Sequence, residues 1–309
     1  FIGNYGKDTL ERDFFPDMLA MVRLCSPNFP KIPKEESLQE AIDYLRNTDH
    51  LKYYRAKGRF TFNSSNVGSN VLKSRFNSFW KASNRGKLSP VEAWKCDEVM
   101  NKIIRYRVGI NNTGECYGLS LKQIIKGLNV NHFLVSFFKP TIAAAIYRHY
   151  LGNVKQPVVF DPSAGFGARL LAFKSLYPEG TYIGCEPNPE TYQELQDLVK
   201  EAGFSKVILY PQKLEDLKSI PEYDFGFTSP PYFDLETYSV PVNYVNFEEW
   251  KSTFWNKLIN LPNMYVNINM QLWNLIQSDQ LCIVDIISKN RNPVGTNQKN
   301  QELIIKRLN

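Results

Sequence analysis

The sequence predicts an α/β fold in which a mostly parallel β-sheet follows a helical N-terminal region. From about residue 157 onward, short apolar segments typical of strands alternate with amphipathic segments typical of helices. This alternation is the pattern of a parallel sheet with helices on both faces. Before about residue 130, apolar residues instead recur at helical spacing between polar loops. We therefore expect a helical region over residues 1–130 and an α/β domain over residues 131–309.

Seven segments of the α/β region have the length and the β-branched or aromatic content of buried strands. They are Val158–Phe160, Thr181–Gly184, Val207–Tyr210, Phe225–Phe227, Met264–Ile268, Leu281–Ile286 and Leu303–Ile305. The apolar periodicity between some of them predicts helices at Gly167–Leu176, Pro189–Ala202 and Phe247–Leu258. The expected sheet therefore has seven strands.

The N-terminal region is expected to be helical at Leu38–Leu45, Val71–Phe79, Pro90–Tyr106 and Leu121–Ile125. The third of these helices has the clearest start. Ser89 stands at the N-cap, a proline follows in the first turn, and Glu92 completes a capping box.

Composition excludes several classes of protein. With 309 residues, 43% hydrophobic and 22% charged, the chain is typical of a soluble globular protein. No apolar run approaches the roughly 20 residues that a membrane span needs. Five cysteines and three histidines are dispersed without a CxxC pair, so we expect no metal site, no disulfides and a cytoplasmic location. The first residues, Phe1 to Asn4, resemble neither a signal peptide nor a natural start, so we expect the true N-terminus to be missing.

Positive charge is concentrated in one segment. The net charge is +6, but residues 52–107 alone carry 13 Lys and Arg against three acidic residues. Such a segment is typical of a surface that binds a polyanion, although a solvated helical surface rich in Lys and Arg has the same composition. Two basic turns are the candidate phosphate contacts, and they contain Lys57 with Arg59 and Arg85 with Lys87.

The first motif that indicates chemistry follows the first predicted strand. Asp161 ends that strand, and a turn through Gly165 and Gly167 opens a helix. Glycines let the backbone approach a ligand closely, and the helix N-terminus offers free N–H groups. Glu186 follows the next strand, where a carboxylate can accept hydrogen bonds from ribose hydroxyls. The two features together fit either a dinucleotide or an adenosine-type cofactor.

The second motif is the tetrapeptide Ser-Pro-Pro-Tyr over residues 229–232, directly after a predicted buried strand. Two successive prolines fix the backbone and remove two N–H donors. Such a turn can direct carbonyl oxygens and the Ser229 hydroxyl at an amino group, while Tyr232 offers a flat face for stacking. The alternative is a polyproline turn on the surface.

Together these motifs resemble those of the DNA amino-methyltransferases, enzymes that use S-adenosylmethionine to form N4-methylcytosine or N6-methyladenine. Their hallmark is an Asp, Asn or Ser followed by Pro-Pro and Tyr or Phe, placed after the fourth strand. The resemblance covers about residues 135–309. It implies a seven-stranded Rossmann-like methyltransferase sheet whose last strand is antiparallel. It also implies that the basic region 1–130 recognises double-stranded DNA.

The resemblance assigns roles to individual residues. A segment heading a helix upstream of the first strand resembles the motif that closes over the methionine end of the cofactor, and Gln212 stands where the family contacts the adenine ring. The implied cofactor-binding residues are Phe138, Lys139, Pro140, Thr141, Asp161, Pro162, Ser163, Ala164, Gly165, Gly167, Glu186, Pro187 and Gln212. The implied catalytic residues are Ser229, Pro230, Pro231 and Tyr232.

The implied reaction is direct transfer to the exocyclic amino group of a base flipped out of the duplex. N4 of cytosine is favoured because Ser leads the tetrapeptide, and N6 of adenine is the alternative. An RNA or protein amino-methyltransferase and a non-catalytic DNA-binding subunit rank lower. The resemblance also suggests a nucleoid-associated enzyme of restriction–modification type.

Overall fold

The computed structural model describes residues 15–30, 37–49, 55–56, 59–61, 65–84, 86–108, 120–233, 236–237, 244–288 and 301–308. The chain forms two compact units. The first lies within residues 1–32, 77–136 and 235–241, and the second within residues 33–76, 137–234 and 242–309. The division therefore does not fall at residue 130, because residues 33–76 belong to the unit that contains the sheet.

The helices and strands follow one another along both units. The helices are α1 (Phe15–Cys25), α2 (Leu38–Asn47), α3 (Ser69–Lys73), α4 (Asn77–Lys81), α5 (Pro90–Lys95), α6 (Asp97–Val108), α7 (Leu121–Val130), α8 (Pro140–Leu151), α9 (Ala168–Leu176), α10 (Pro189–Ala202), α11 (Phe247–Trp250), α12 (Asn256–Ile259) and α13 (Met270–Ile276). A π-helical turn (Lys251–Trp255) joins α11 to α12. The strands are β1 (Arg55–Ala56), β2 (Arg59–Thr61), β3 (Ser83–Asn84), β4 (Val158–Asp161), β5 (Thr181–Cys185), β6 (Val207–Tyr210), β7 (Phe225–Thr228), β8 (Glu236–Thr237), β9 (Met264–Asn269), β10 (Leu281–Ser288) and β11 (Gln301–Arg307).

The first unit is mainly helical. Its helices α1, α5, α6 and α7 share an apolar core around Trp94 and Ile104. The expected capping box begins α5, where the Glu92 carboxylate accepts from the Ser89 backbone N–H at 2.8 Å. Strands β3 and β8 pair antiparallel in a small second sheet. The expected helix over 90–106 is interrupted at Cys96, between α5 and α6.

The second unit contains the main sheet, in the order β1-β2-β10-β11-β9-β7-β4-β5-β6. All seven predicted strands are present and lie side by side from β10 to β6. Strand β11 is antiparallel to both β10 and β9, whereas β9, β7, β4, β5 and β6 are parallel. The seven-stranded Rossmann-like sheet with an antiparallel last strand is thus confirmed.

Two short strands of the N-terminal region join the main sheet, which was not expected. β1 and β2 form an antiparallel pair, and β2 adds to β10 in parallel, so the sheet has nine strands. A sheet edge leaves backbone N–H and C=O groups unpaired, and an added strand satisfies them. Segments of two and three residues are too short to show a period in the sequence, which is why periodicity missed them.

The turn into β9 is made without glycine. Asn263 adopts a left-handed conformation with φ 49°, and its carbonyl accepts from the Gly226 backbone N–H at 3.0 Å. Asparagine is among the few residues that tolerate this conformation. Asn263 therefore occupies a left-handed turn position that is usually taken by glycine.

The chain order of the strands determines where a ligand can bind. From β4 the chain adds β5 and β6 on one side, then returns to place β7 on the other side of β4. In open α/β sheets, ligands bind outside the carboxyl ends of the strands at such a reversal. Both motifs found in the sequence follow carboxyl ends of strands at this reversal.

Among the described residues, no helix is long and apolar enough to span a membrane.

Candidate active site

The glycine-rich turn after β4 has one tightly packed side and one open side. Gly167 has φ 76°, and a Cβ there would lie 3.1 Å from both Phe76 Cζ and Leu198 Cδ2. Gly165 has φ 55°, but a Cβ there would meet only the Ser163 carbonyl oxygen, at 3.8 Å. Gly167 is therefore required by packing. Gly165 instead leaves room in front of the turn for a ligand.

Glu186 connects the end of β5 to this turn. Its carboxylate accepts from the backbone N–H of Gly165 at 3.0 Å and from that of Asn188 at 2.9 Å. Burial raises the pKa of Glu186 to about 7, against the opposing effect of these two hydrogen bonds. Two carboxylate oxygens can accept about four hydrogen bonds. These two hydrogen bonds therefore leave Glu186 with acceptor capacity for a ligand.

Asp161, in contrast, has no acceptor position left. Oδ2 accepts from Arg169 Nε at 2.7 Å and from the Tyr182 hydroxyl at 2.6 Å. Oδ1 accepts from Thr228 Oγ1 at 2.7 Å and from the Ser163 backbone N–H at 3.2 Å. The side chain is fully buried. A direct contact between Asp161 and a cofactor, which the resemblance implies, therefore does not fit the structure.

The segment expected to close over the cofactor begins α8. Lys139 is the N-cap and Pro140 occupies the first turn. Thr141 is buried and its hydroxyl donates to the Ser65 carbonyl at 3.2 Å. The Phe138 ring contacts Phe227 edge to face, at 6.0 Å between centroids. Arg169 lies 5.2 Å above the same ring. These contacts tie the segment to β7 and to α9.

Residues 65–76 also contribute to this region, which their sequence did not indicate. Phe76 contacts Phe166, in the glycine-rich turn, with ring centroids 6.2 Å apart. The amine of Lys73 lies 5.1 Å from the Phe137 ring. Burial, together with the nearby Lys139, lowers the pKa of Lys73. Apolar spacing over 71–79 indicated a packed helix face but not its partner.

The Ser-Pro-Pro-Tyr turn is held at its second proline and at its tyrosine. Trp250 Nε1 donates to the Pro231 carbonyl at 2.8 Å, and the Tyr232 hydroxyl accepts from the Asn269 backbone N–H at 3.2 Å. Ser229 is half-buried.

The other predicted cofactor residues lie at the same edge of the sheet. Pro162 and Ala164 are buried within the turn, and the Ala164 N–H donates to the Cys185 carbonyl at 2.9 Å. Pro187 and Gln212 are half-buried and follow β5 and β6. The Ser163 hydroxyl is buried and has no hydrogen-bond partner in the described part of the chain. Such a group is expected to bind water or a ligand.

The predicted DNA contacts remain predictions. Lys57 and Arg85 lie outside the described residues, and Arg59 lies in β2, where only the backbone is described. Lys87 is exposed, and its amine donates to the Asn131 carbonyl at 2.8 Å and lies 5.6 Å from the Phe133 ring. Part of its hydrogen-bonding capacity is thus used within the first unit.

Comparison with known proteins gives distant likenesses only. No protein-family model and no curated protein matches the chain. TrmN from Thermus thermophilus is similar over 55% of this chain and 49% of its own, at 16% identity and a TM-score of 0.40. A dimethyladenosine transferase from Plasmodium falciparum is similar over 56% and 63%, at 14% identity and a TM-score of 0.38. An rRNA methylase from Streptococcus thermophilus is similar over 57% and 100%, at 11% identity and a TM-score of 0.37. The chain thus spans less than two thirds of the first two, and the likenesses are too distant to indicate function.

Proposed function

We propose that the second unit binds S-adenosylmethionine at the carboxyl edge of its sheet and transfers the methyl group to an exocyclic amino nitrogen of a DNA base. The observation that carries this proposal is the juxtaposition of two motifs. Strands β4 and β7 are neighbours, and they end in the glycine-rich turn and in the Ser-Pro-Pro-Tyr turn, respectively. N4 of cytosine is the favoured target and N6 of adenine the alternative.

The residues present suit an adenosine-type cofactor. Glu186 accepts from ribose hydroxyls, and the open face of Gly165 lets the ligand approach the backbone. The unpaired Ser163 hydroxyl faces no competing partner in the described residues. The segment of Phe138 and Lys139 would hold the methionine end of the cofactor, and Gln212 would contact its adenine ring. The cofactor supplies a sulfonium methyl group, which needs no metal and no cysteine nucleophile.

The Ser-Pro-Pro-Tyr turn acts on the target amine. The amino group would donate one hydrogen bond to Ser229 Oγ and one to the Pro230 carbonyl, which would turn the nitrogen lone pair out of the ring plane. The N–CH3 bond would form as the S–CH3 bond breaks, S-adenosylhomocysteine would be the leaving group, and the methylated nitrogen would release one proton to water. Tyr232 stacks on the base, a contact that contributes ~1–3 kcal/mol elsewhere. Trp250 holds the Pro231 carbonyl by a hydrogen bond and so fixes the turn next to these groups. In-line placement of the amine then supplies much of the rate.

A nucleic-acid substrate is favoured over a protein because of the basic segment 52–107. Flipping a base costs a few kcal/mol of stacking, and phosphate contacts hold the duplex in place while this happens. The serine that leads the tetrapeptide separates this chain from amino-methyltransferases of RNA and protein, in which asparagine is usual. Because the glycine-rich turn and the tetrapeptide are both intact, a non-catalytic DNA-binding subunit is the weaker alternative.

Label transfer tests the substrate class. Purified protein and S-adenosylmethionine carrying a labelled methyl group are incubated in three parallel reactions. The first contains plasmid DNA, the second structured RNA and the third a protein mixture. We expect label in DNA alone, and none with the Ser229→Ala variant. Label in RNA or protein would move the proposal to those alternatives. Cofactor binding without transfer to any polymer would instead support the non-catalytic subunit.

Cofactor affinity is expected to depend on pH through Glu186. Its pKa of about 7 means that the carboxyl is protonated below neutrality in the empty protein. Ribose hydroxyls bind the ionised form better, so affinity should fall as the pH drops below 7, by up to about tenfold per unit. Titration calorimetry over a range of roughly pH 5.5 to 8.5 would measure this dependence of cofactor affinity on pH. The Glu186→Gln variant should lose the dependence, and an equally steep profile in that variant would refute the assignment.

DNA affinity is expected to reside in the basic segment and to fall with salt. Replacing Lys57, Arg59, Arg85 and Lys87 by alanine should lower DNA affinity and flatten the plot of log K against log salt by about 0.9 for each phosphate that the variant no longer binds. Fluorescence anisotropy with a labelled duplex at several salt concentrations measures both quantities. Cofactor affinity should not change.

A matched control removes the same charge elsewhere. Lys122, Lys155, Lys200 and Lys218 are exposed and lie outside residues 52–107. Their combined replacement by alanine should leave most of the salt slope in place. If both quadruple variants lose affinity equally, net charge rather than this segment accounts for DNA binding.

A further inference from the structure

Asp161 joins three adjacent strands. It ends β4, and its carboxylate accepts from Thr228 at the end of β7 and from Tyr182 on β5. These are the two strands that pair with β4. Arg169, in the first turn of α9, completes what we call the Asp161 cluster (Asp161, Arg169, Tyr182 and Thr228). All four side chains are buried.

The cluster has little freedom to rearrange. Asp161 and Arg169 form a buried ion pair, and removal of one member of such a pair is strongly destabilising because the other charge stays buried. Gly184 makes room for Tyr182, since a Cβ at Gly184 would lie 2.9 Å from Tyr182 Cε1. Burial and the adjacent Asp161 carboxylate raise the pKa of Tyr182 well above its usual value, so the hydroxyl keeps its proton and remains a donor.

The cluster reaches both functional turns. On one side, the Arg169 guanidinium donates to the Ser163 carbonyl and lies above the Phe138 ring. The Ser163 backbone N–H also donates to the Asp161 carboxylate. On the other side, Thr228 immediately precedes Ser229 in the chain. The hydrogen bond from Thr228 to Asp161 is thus a direct side-chain link between the glycine-rich turn and the Ser-Pro-Pro-Tyr turn.

We infer that Thr228 is a positioning residue, which sets Ser229 at a fixed place relative to the bound cofactor through Asp161. The inference rests on the proposed function and adds to it a role for residues that neither motif assigns. Asp161 acts as the joint between the two turns and does not contact the cofactor. Displacement of a reacting group by about 1 Å can reduce a rate about 100-fold, so one such link is enough to affect turnover.

The test compares three variants. Thr228→Val keeps the size of the side chain but removes its donor, and Thr228→Ser keeps the donor. Ser175→Ala is the matched control, because the buried Ser175 hydroxyl also makes a 2.7 Å hydrogen bond, to the Leu171 carbonyl in the middle of α9. Each variant is checked for folding by thermal unfolding, so that reduced activity can be separated from a reduced amount of folded protein.

Two measurements are made on each variant. The first is hydrogen exchange by mass spectrometry of peptides containing Tyr232 and Asn269, which needs neither cofactor nor substrate. The second is methyl transfer, with kcat, KM and cofactor affinity determined separately. Thr228→Val should exchange faster at Tyr232 and Asn269 and lose about 10-fold or more in kcat, with cofactor affinity within about threefold. Thr228→Ser and Ser175→Ala should match the parent in both.

Contrary outcomes can be told apart. Unchanged exchange in Thr228→Val would overturn the inference whatever the protein catalyses. Faster exchange with unchanged kcat would also overturn it, because the link would then serve stability alone. If the parent protein transfers no methyl group at all, the proposed function fails, and exchange still decides whether Thr228 holds the turn.

Discussion

Replacing Tyr232 by alanine is expected to reduce turnover by roughly 5- to 150-fold, the equivalent of a stacking contact of ~1–3 kcal/mol. The ring is half-buried against the apolar cluster beside α11, so some stability should be lost as well. The measurement is kcat at saturating substrate, normalised to folded protein. Turnover within twofold of the parent in a folded Tyr232→Ala protein would mean that the ring does not stack on the target base.

Tyr232→Phe is the matched control for this prediction. It keeps the ring but removes the hydroxyl that accepts from the Asn269 N–H. We expect most of the turnover to remain, with a loss of stability of about 1 kcal/mol from the hydrogen bond. If Tyr232→Phe turns over as slowly as Tyr232→Ala, the hydroxyl rather than stacking of the ring is required for turnover.

Replacing Glu186 by alanine is expected to weaken cofactor affinity by roughly 10- to 150-fold, because hydrogen bonds to a charged acceptor contribute ~1.5–3 kcal/mol. The same carboxylate holds the N–H groups of Gly165 and Asn188, so its loss should also loosen the glycine-rich turn. Calorimetry with S-adenosylmethionine measures the effect. Glu186→Gln keeps one acceptor oxygen, so its cofactor affinity should lie between that of the parent and that of Glu186→Ala. Parent-like affinity in a folded Glu186→Ala protein would remove Glu186 from the cofactor site.

Much of the sheet could be predicted because its strands are short apolar segments. Each of the seven apolar segments is bounded by polar or turn residues, and each became a strand within a few residues of its expected limits. The glycine-rich turn and the tetrapeptide could be placed for a related reason, since both follow directly from a buried strand. Local sequence is sufficient for features of this kind.

Features that depend on distant contacts could not be predicted. The sequence does not show whether the Asp161 carboxylate faces a ligand or is already hydrogen-bonded within the protein. One of its hydrogen-bond partners, Thr228, lies 67 positions away in the chain. The contact of Phe76 with Phe166 and the hydrogen bond of Trp250 with the Pro231 carbonyl likewise join segments far apart in the chain. Sequence periodicity reports that a side chain is buried but not which partner buries it.

The identity of the methylated nucleoside shows whether the methyl group goes to an exocyclic amine. Plasmid DNA treated with the protein and S-adenosylmethionine is digested to nucleosides and analysed by mass spectrometry, with Ser229→Ala protein as the control. The proposed geometry, an amine held between Ser229 Oγ and the Pro230 carbonyl, predicts N4-methylcytosine, with N6-methyladenine as the alternative of the same chemistry. Either product should be absent from the control. Formation of 5-methylcytosine would refute the proposed transfer to an amino nitrogen, because transfer to a ring carbon does not use the exocyclic amine.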